Sequence, residues 1–163
     1  AYDMPFSIFS GAGVIFGATG GMTEAAVRRV VEDKSPKALK EIEFIGLRGM
    51  EGVKVCELPF GERTLRIGVV SGLGNADCLL QKIERGEEQF DFVEVMACPG
   101  GCVAGAGQPF ARSTEKRMRA EGLYKNDKAL QIKRSEENPL VETLYGDLLK
   151  NREHELLHVE YKV

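Results

Sequence analysis

Two thiols stand four residues apart in the stretch Glu94-Val95-Met96-Ala97-Cys98-Pro99-Gly100-Gly101-Cys102-Val103-Ala104-Gly105-Ala106-Gly107-Gln108-Pro109. Thiolates are the ligands of iron–sulfur clusters, and a cluster is bulky and anionic. Backbone must approach it closely and turn N–H groups toward its sulfides. Glycine allows both, because it lacks a Cβ and reaches positive φ, and successive N–H groups in such a turn make an anion-binding concavity. Cysteines, glycines and the end of an apolar segment together describe a thiolate cluster in a glycine cradle. The spacing alone favours a plainer account, in which Cys98 and Cys102 are small buried residues of a tight turn. Structural zinc takes four ligands, and no second cysteine pair or Cys/His pair at zinc spacing complements this loop. Cys56 and Cys78 stand alone and read as core residues of a strand and a helix.

The elements that must carry this loop are legible from periodicity. Phe92-Val93-Glu94-Val95-Met96 is a short apolar strand leading into Cys98. Ahead of it, Gly52 to Leu58 alternates as a half-buried strand. Gly61-Glu62 turns the chain into Arg63 to Val70, where Leu65, Ile67 and Val69 alternate with Thr64, Arg66 and Gly68. Ser71 to Asn75 opens a helix from about Ala76 to Arg85, with Ala76, Leu79, Leu80 and Ile83 on its inner face. The glycine-rich segment Gly11 to Gly21 contains a strand-like triplet, Val14-Ile15-Phe16. A helix then runs from about Met22 to Asp33, with Ala26, Val27, Val30 and Val31 inside and Arg28, Arg29 and Glu32 outside. Thr19 or Thr23 is its expected cap, and Ser35-Pro36 its stop. Glu43-Phe44-Ile45 reads as a further short strand. From Arg112 the chain is charged and helical, with helices near 110–121, 138–150 and 151–159, the second started by Asn138-Pro139. Strands separated by helices predict an α/β fold: one lobe with a small mixed or parallel sheet flanked by helices and a helical C-terminal region.

Bulk properties narrow the function classes. The 163 residues carry 22 Lys and Arg against 25 Asp and Glu, a net charge of −3. Nucleic acid is not expected, since a phosphate backbone needs a basic surface. No window reaches the roughly 20 apolar residues that span a bilayer, so no membrane association is expected. The opening Ala1-Tyr2-Asp3-Met4-Pro5 has neither a basic nor an apolar signal region, and without an initiator Met it reads as a cut or processed end. Nineteen glycines exceed the usual share of roughly 7%, and nine of them lie in the stretches 11–21 and 100–107. A disulfide framework would require secretion; reduced thiols instead suggest a cytoplasmic setting, with a periplasmic one open.

Taken together, the cysteine stretch resembles the last cysteine motif of iron-only (di-iron) hydrogenases. Gly13 to Gly21, Arg48 to Val55, Val69 to Ala76 and the tail His154-Glu155-Leu156-Leu157-His158 are similar to other blocks of that family, in family order over nearly the whole chain. The resemblance implies one domain, residues 1–163, forming the C-terminal lobe of the catalytic domain, with its N-terminal half elsewhere. It implies a 4Fe-4S cubane bridged to a di-iron unit (the H-cluster) that interconverts protons and dihydrogen. Cys98 would ligate the cubane, and Cys102 would ligate it while bridging to the di-iron unit. Met96 would pack against that unit, while Phe16 and Gly17 would line its pocket. The implied partners are the N-terminal half of the same domain and a ferredoxin-like electron carrier. The earlier cysteine motifs and the proton-delivering residues have no counterpart here, so no catalytic residue is assigned in this half. The isolated chain is expected to hold the cluster poorly, to turn over no dihydrogen, and to self-associate through the face its missing half would cover. Where the family usually has Asn-Gly-Gly-Gly after the second cysteine, this chain has Ala104-Gly105-Ala106-Gly107. A similar C-P-x-G-C loop occurs in hydrogenase-like proteins of cytosolic iron–sulfur assembly, which gives the alternative reading of a scaffold or carrier without di-iron chemistry.

Three other patterns carry less. His154-Glu155-Leu156-Leu157-His158 matches the H-E-x-x-H zinc motif, but no third ligand accompanies it, and it reads as a charged terminal helix. Gly11-x-Gly13-x-x-x-Gly17 is weak as a dinucleotide loop, which needs a strand before its first glycine and an acidic residue about 20 positions on: only ten residues precede Gly11, and Val14-Ile15-Phe16 is itself strand-like. Lys116-Arg117-Met118-Arg119 and Lys133-Arg134 read as solvated faces beside Glu115, Glu121 and Glu136, with an acidic electron carrier as the other use for such a surface.

Overall fold

The structure, a computed structural model, describes residues 7–31 and 52–159. The expected strand at Glu43-Phe44-Ile45 and the stop at Ser35-Pro36 lie outside them. Alternating apolar residues form the first hairpin: β1 (Val53–Phe60) pairs antiparallel with β2 (Arg63–Ser71), from Val53 opposite Val70 to Phe60 opposite Arg63. Gly61, at φ 60°, supplies the positive φ that the two-residue turn requires. β2 continues through Gly72 into α3 (Leu73–Glu84), which returns the chain so that β3 (Phe92–Met96) lies parallel to β2. The order β1-β2-β3 makes a small mixed sheet with β2 central.

Both faces of that sheet are covered, so β2 buries successive residues rather than alternate ones. Val27, Cys56, Leu58, Ile67 and Val69 cluster on one side; Val70, Ala76 and Leu79 cluster on the other, with Ile83, Phe90 and Val93 packed against them. The fold is α/β, as the pattern of elements predicts. α3 buries Ala76 and Leu79 but leaves Leu80 and Cys78 exposed. Cys78 is therefore not the core residue expected, because the helix offers the sheet only a narrow stripe.

The glycine-rich segment forms two helices, α1 (Gly11–Ile15) and α2 (Gly21–Val30). Val14-Ile15-Phe16 is not strand: the Ser10 hydroxyl accepts from the Gly13 N–H at 3.3 Å and starts a helical turn in its place. On α2 the inner face also differs from expectation. Val27 is buried, but so is Arg28, while Ala26 and Val30 are exposed. The C-terminal part comprises α4 (Ser113–Ala129), α5 (Pro139–Gly146) and α6 (Glu153–Leu157). Asn138 does start α5, its side chain accepting from the Leu140 N–H at 3.0 Å with Pro139 in the first turn. α4 packs against α1. There the Arg28 guanidinium meets Asp127 twice, at 2.9 and 2.7 Å, and Glu24 at 2.5 Å. Burial alone would lower the Arg28 pKa, but the Asp127 and Glu24 carboxylates outweigh it and hold it above its ordinary value. Arg134 is buried as well, donating from Nε to the Arg28 carbonyl at 2.9 Å. The basic pair at 133–134 is thus a structural tie between segments, not a solvated face.

Candidate functional site

The end of β3 places Met96 beside the start of α3, where the Gly72 N–H donates to the Met96 carbonyl at 2.7 Å. The chain then turns through Cys98 to Gly101 and forms a short 3-10 turn, Cys102–Ala104. Cys98 is half-buried, Cys102 is exposed, and neither is in a disulfide. The turn is held from three directions. From below, the Ser71 hydroxyl accepts from the Gly100 N–H at 2.8 Å. From the side, the Thr19 N–H donates to the Gly100 carbonyl at 3.3 Å and the Val103 N–H to the Gly17 carbonyl at 3.0 Å. From above, Arg119 donates to the carbonyls of Val103 and Pro109 at 3.2 and 2.9 Å. Arg119 was expected on a solvated basic face; its reach to those carbonyls makes it a brace of the cysteine loop.

The segment 16–21 and the cysteine loop therefore form two adjoining walls. Gly17 is seated against α4, where a Cβ would stand 2.9 Å from the Leu123 side chain. Phe16, preceding it, is exposed. Gly101 faces the Gly17–Thr19 backbone so closely that a Cβ would come within 2.8 Å of the Gly17 oxygen and the Thr19 nitrogen. Met96 is half-buried. Five of the expected site residues, Phe16, Gly17, Met96, Cys98 and Cys102, thus belong to two segments that the fold stitches together.

One expectation changes. The N–H groups of Gly101, Ala104 and Gly105 donate to the carbonyls of Cys98, Gly101 and Cys102, and those of Gly100 and Val103 to Ser71 and Gly17. These five amides maintain the turn instead of pointing at a bound anion. The glycines act through space: at Gly105 a Cβ would lie 3.1 Å from the Cys98 sulfur, so its absence leaves room beside that thiol.

Three contributors have no site role in the sequence pattern. Ser71 and Arg119 hold the loop, and Glu94 is completely buried beneath it. The signal for Glu94 was available, since it is a carboxylate inside a five-residue apolar strand. Its partners, Gly20 and Thr23, lie more than 70 positions away. Neither Thr19 nor Thr23 caps α2 with its own side chain; the N-cap is Gly20, and the capping oxygens come from Glu94.

A family model described as the iron only hydrogenase large subunit, C-terminal domain, matches residues 1–106. The chain belongs to that hydrogenase family. A second model, described as the iron hydrogenase small subunit, matches residues 113–163. The NADP-reducing hydrogenase subunit HndD of Solidesulfovibrio fructosivorans is 42% identical over 98% of this chain, which spans 28% of that subunit. The solved FeFe-hydrogenase of Chlamydomonas reinhardtii superposes with a TM-score of 0.69 at 34% identity, over 98% of this chain and 48% of its own. The cytosolic iron-sulfur assembly component 3 of Mus musculus is 32% identical over 89% of this chain and 31% of its length. This hydrogenase-family chain accordingly spans half or less of the relatives it matches.

A 4Fe-4S cubane uses four thiolates. Cys98 and Cys102, with the space left by Gly105, suit half of that demand. Cys56 is buried in the core, its thiol 3.7 Å from the Ile67 carbonyl, and burial pushes its pKa up despite the opposing charge of Lys54. Cys78 sits on the outer surface of α3. Neither belongs to the cysteine loop. Among the described residues, no group of three metal-ligating side chains is assembled. His154 and His158 meet ring to ring, with Nδ1 atoms 2.7 Å apart, and no third ligand joins them among the described residues. No helix among the described residues is long and apolar enough to cross a membrane.

Proposed function

We propose that this chain is the C-terminal lobe of a hydrogenase catalytic domain, and that it supplies two of the four cysteine ligands of the cubane. Cys98 and Cys102 would hold the cluster. The complete cluster, when bound, would supply reversible proton reduction to dihydrogen, with a ferredoxin-like carrier as its electron partner. The chain's own residues position and enclose it. Ser71 and Arg119 hold the cysteine loop in place, and Gly105 leaves space at the Cys98 sulfur. Met96, Phe16 and Gly17 would line the di-iron side. The observation that carries this reading is the stitching of the Gly17 wall to the cysteine loop through Thr19–Gly100 and Val103–Gly17. All four cysteines are free, as thiolate ligation in a reducing cytoplasm requires.

The partner of this lobe is the N-terminal half of the same domain, which carries the remaining ligands. Without it the chain would turn over no dihydrogen. A groove of about 640 Å³ lined by Phe16, Met22, Ala25, Val141 and Tyr145 would then stand open and favour self-association.

The test is substitution in the complete protein, matured without oxygen. Cys98→Ser should lose most of its iron, and Cys102→Ser its gas evolution. Unchanged iron and activity in both variants would end this account. The likeness to the mouse assembly component favours a second reading, a cluster scaffold or carrier. Gly17-Ala18-Thr19-Gly20-Gly21 and Gln108-Pro109 favour the hydrogenase. Infrared bands from carbonyl and cyanide ligands in the matured protein belong to the hydrogenase reading, and a matured protein without them belongs to the scaffold.

A further inference from the structure

Glu94 is 0% exposed and lies on β3, two residues before Met96 and four before Cys98. Its Oε1 accepts from the Gly20 N–H at 2.7 Å. Its Oε2 accepts from the Thr23 N–H at 2.7 Å and from the Thr23 hydroxyl at 2.6 Å. Both oxygens of the carboxylate are thus engaged by the first turn of α2. A helix is ordinarily capped by a residue at its own N-terminus, which satisfies amides that have no intrahelical acceptor. Here the N-cap is Gly20, at φ 87°, with no side chain to offer. The acceptor comes from the strand that leads into the cysteine loop. Negative charge at a helix N-terminus is also favourable, and more so in a buried setting.

The consequence lies in what the two joined segments carry. Immediately before Gly20 stand Phe16, Gly17 and Thr19; immediately after Glu94 stand Met96 and Cys98. The other bonds between these walls, Thr19 to Gly100 at 3.3 Å and Val103 to Gly17 at 3.0 Å, are longer and join neutral backbone groups. Charge-assisted bonds are shorter and stronger than neutral ones. We propose that Glu94 is a positioning residue: it fixes the separation between the Gly17 wall and the Met96–Cys98 wall, and thereby the surroundings of the iron group held by the two thiols. This deepens the hydrogenase reading and rests on it.

Glu94→Gln in the full-length protein is the discriminating variant. It keeps the shape but replaces one accepting oxygen with an NH2 group. In either orientation of the amide, that group faces an N–H donor, so one link becomes repulsive. Before maturation, hydrogen exchange should quicken at Gly20 and Thr23, and also at Thr19 and Val103, whose bonds depend on wall spacing. A residue serving only as a cap for α2 would leave Val103 unchanged. After maturation, iron content should match the parent, because the thiols are untouched. The carbonyl and cyanide infrared bands should shift, and turnover should fall about tenfold, as small displacements at a reacting centre do. If Glu94→Gln does not fold, Thr23→Ala removes the hydroxyl bond alone and should move the same bands to a smaller extent. Unchanged bands with unchanged exchange at Thr19 and Val103, in whichever variant folds, would overturn the role. Retention of iron by Cys98→Ser would overturn the cluster reading and this role with it, while quickened exchange in Glu94→Gln would still stand as a measure of the tie.

Discussion

Gly101 has two independent reasons to be glycine, and they can be measured apart. Its backbone, at φ 86° and ψ −168°, lies in a region that is essentially restricted to glycine and costs any other residue about 1–3 kcal/mol. A Cβ would also press within 2.8 Å of the Gly17 oxygen and Thr19 nitrogen. Both are backbone atoms, which cannot swing aside as a side chain would, so the two walls of the site would have to part. Gly107, at φ 89°, has no atom within 4 Å of its Cβ direction and bears only a conformational penalty. Gly101→Ala should therefore destabilise the chain to urea by about 3 kcal/mol or more, the upper end of the conformational cost, whereas Gly107→Ala should lose less. Equal losses would mean that contact with the Gly17 wall contributes nothing. The same close approach explains why the glycines of the cysteine loop could be read as functional from sequence while their use could not. They admit neighbouring atoms, and the amides of Gly100, Gly101, Val103, Ala104 and Gly105 are directed to internal acceptors.

At the scale of elements, local pattern and long-range partners divide what the sequence revealed. The β1–β2 hairpin, β3 and the start of α5 were legible because alternation, the Gly61-Glu62 turn and Asn138-Pro139 are local signals. α1 was not, since three apolar residues in a row fit a strand or a buried helix equally well. The inner face of α2 was misread because the acceptor that buries Arg28 lies 99 positions away. Arg134 was misread for the same reason, and its turn has a pH signature. Burial would raise the Glu137 carboxyl pKa, but bonds from the Arg134 side chain and from the Arg134 and Lys133 N–H groups outweigh it and lower the value. A lowered folded-state pKa adds stability that is present above the unfolded value of roughly 4.3 and lost as pH falls through the folded value. Glu137→Gln should melt earlier than the parent at neutral pH, with the gap closing as the buffer is taken below about pH 4. The gap should be small, because the side chain is 40% exposed and water screens the pair. A gap that stays constant on acidification would show that the carboxylate charge is not what holds the Ser135–Glu137 turn.

Over the whole molecule, the matched regions 1–106 and 113–163 meet near a short, largely exposed connection in which Phe110 is 96% exposed. The two parts are joined by more than this covalent link. Asp127 of α4 grips Arg28 of α2 through two bonds, and the Gly11 and Ala12 N–H groups donate to the carbonyls of Ile132 and Lys133 at 2.8 and 3.1 Å. Asn138 donates to the Ile8 carbonyl at 2.9 Å. Breaking a buried ion pair costs about 3–5 kcal/mol where the remaining charge has no other partner. Asp127→Ala takes two bonds from Arg28 but leaves it Glu24 at 2.5 Å, so the loss should fall at or below about 3 kcal/mol, the lower end of that range. That is still a sizeable share of a domain's stability, typically about 5–15 kcal/mol. A protease site inserted next to Phe110 and cut after folding should therefore yield two pieces that elute together in size-exclusion chromatography. With Asp127→Ala in the same cut protein, they should separate, while the uncut variant still folds but unfolds at lower urea. Pieces that part without the substitution would show that the covalent link, and not the buried Arg28–Asp127 pair, holds the C-terminal helices against the site.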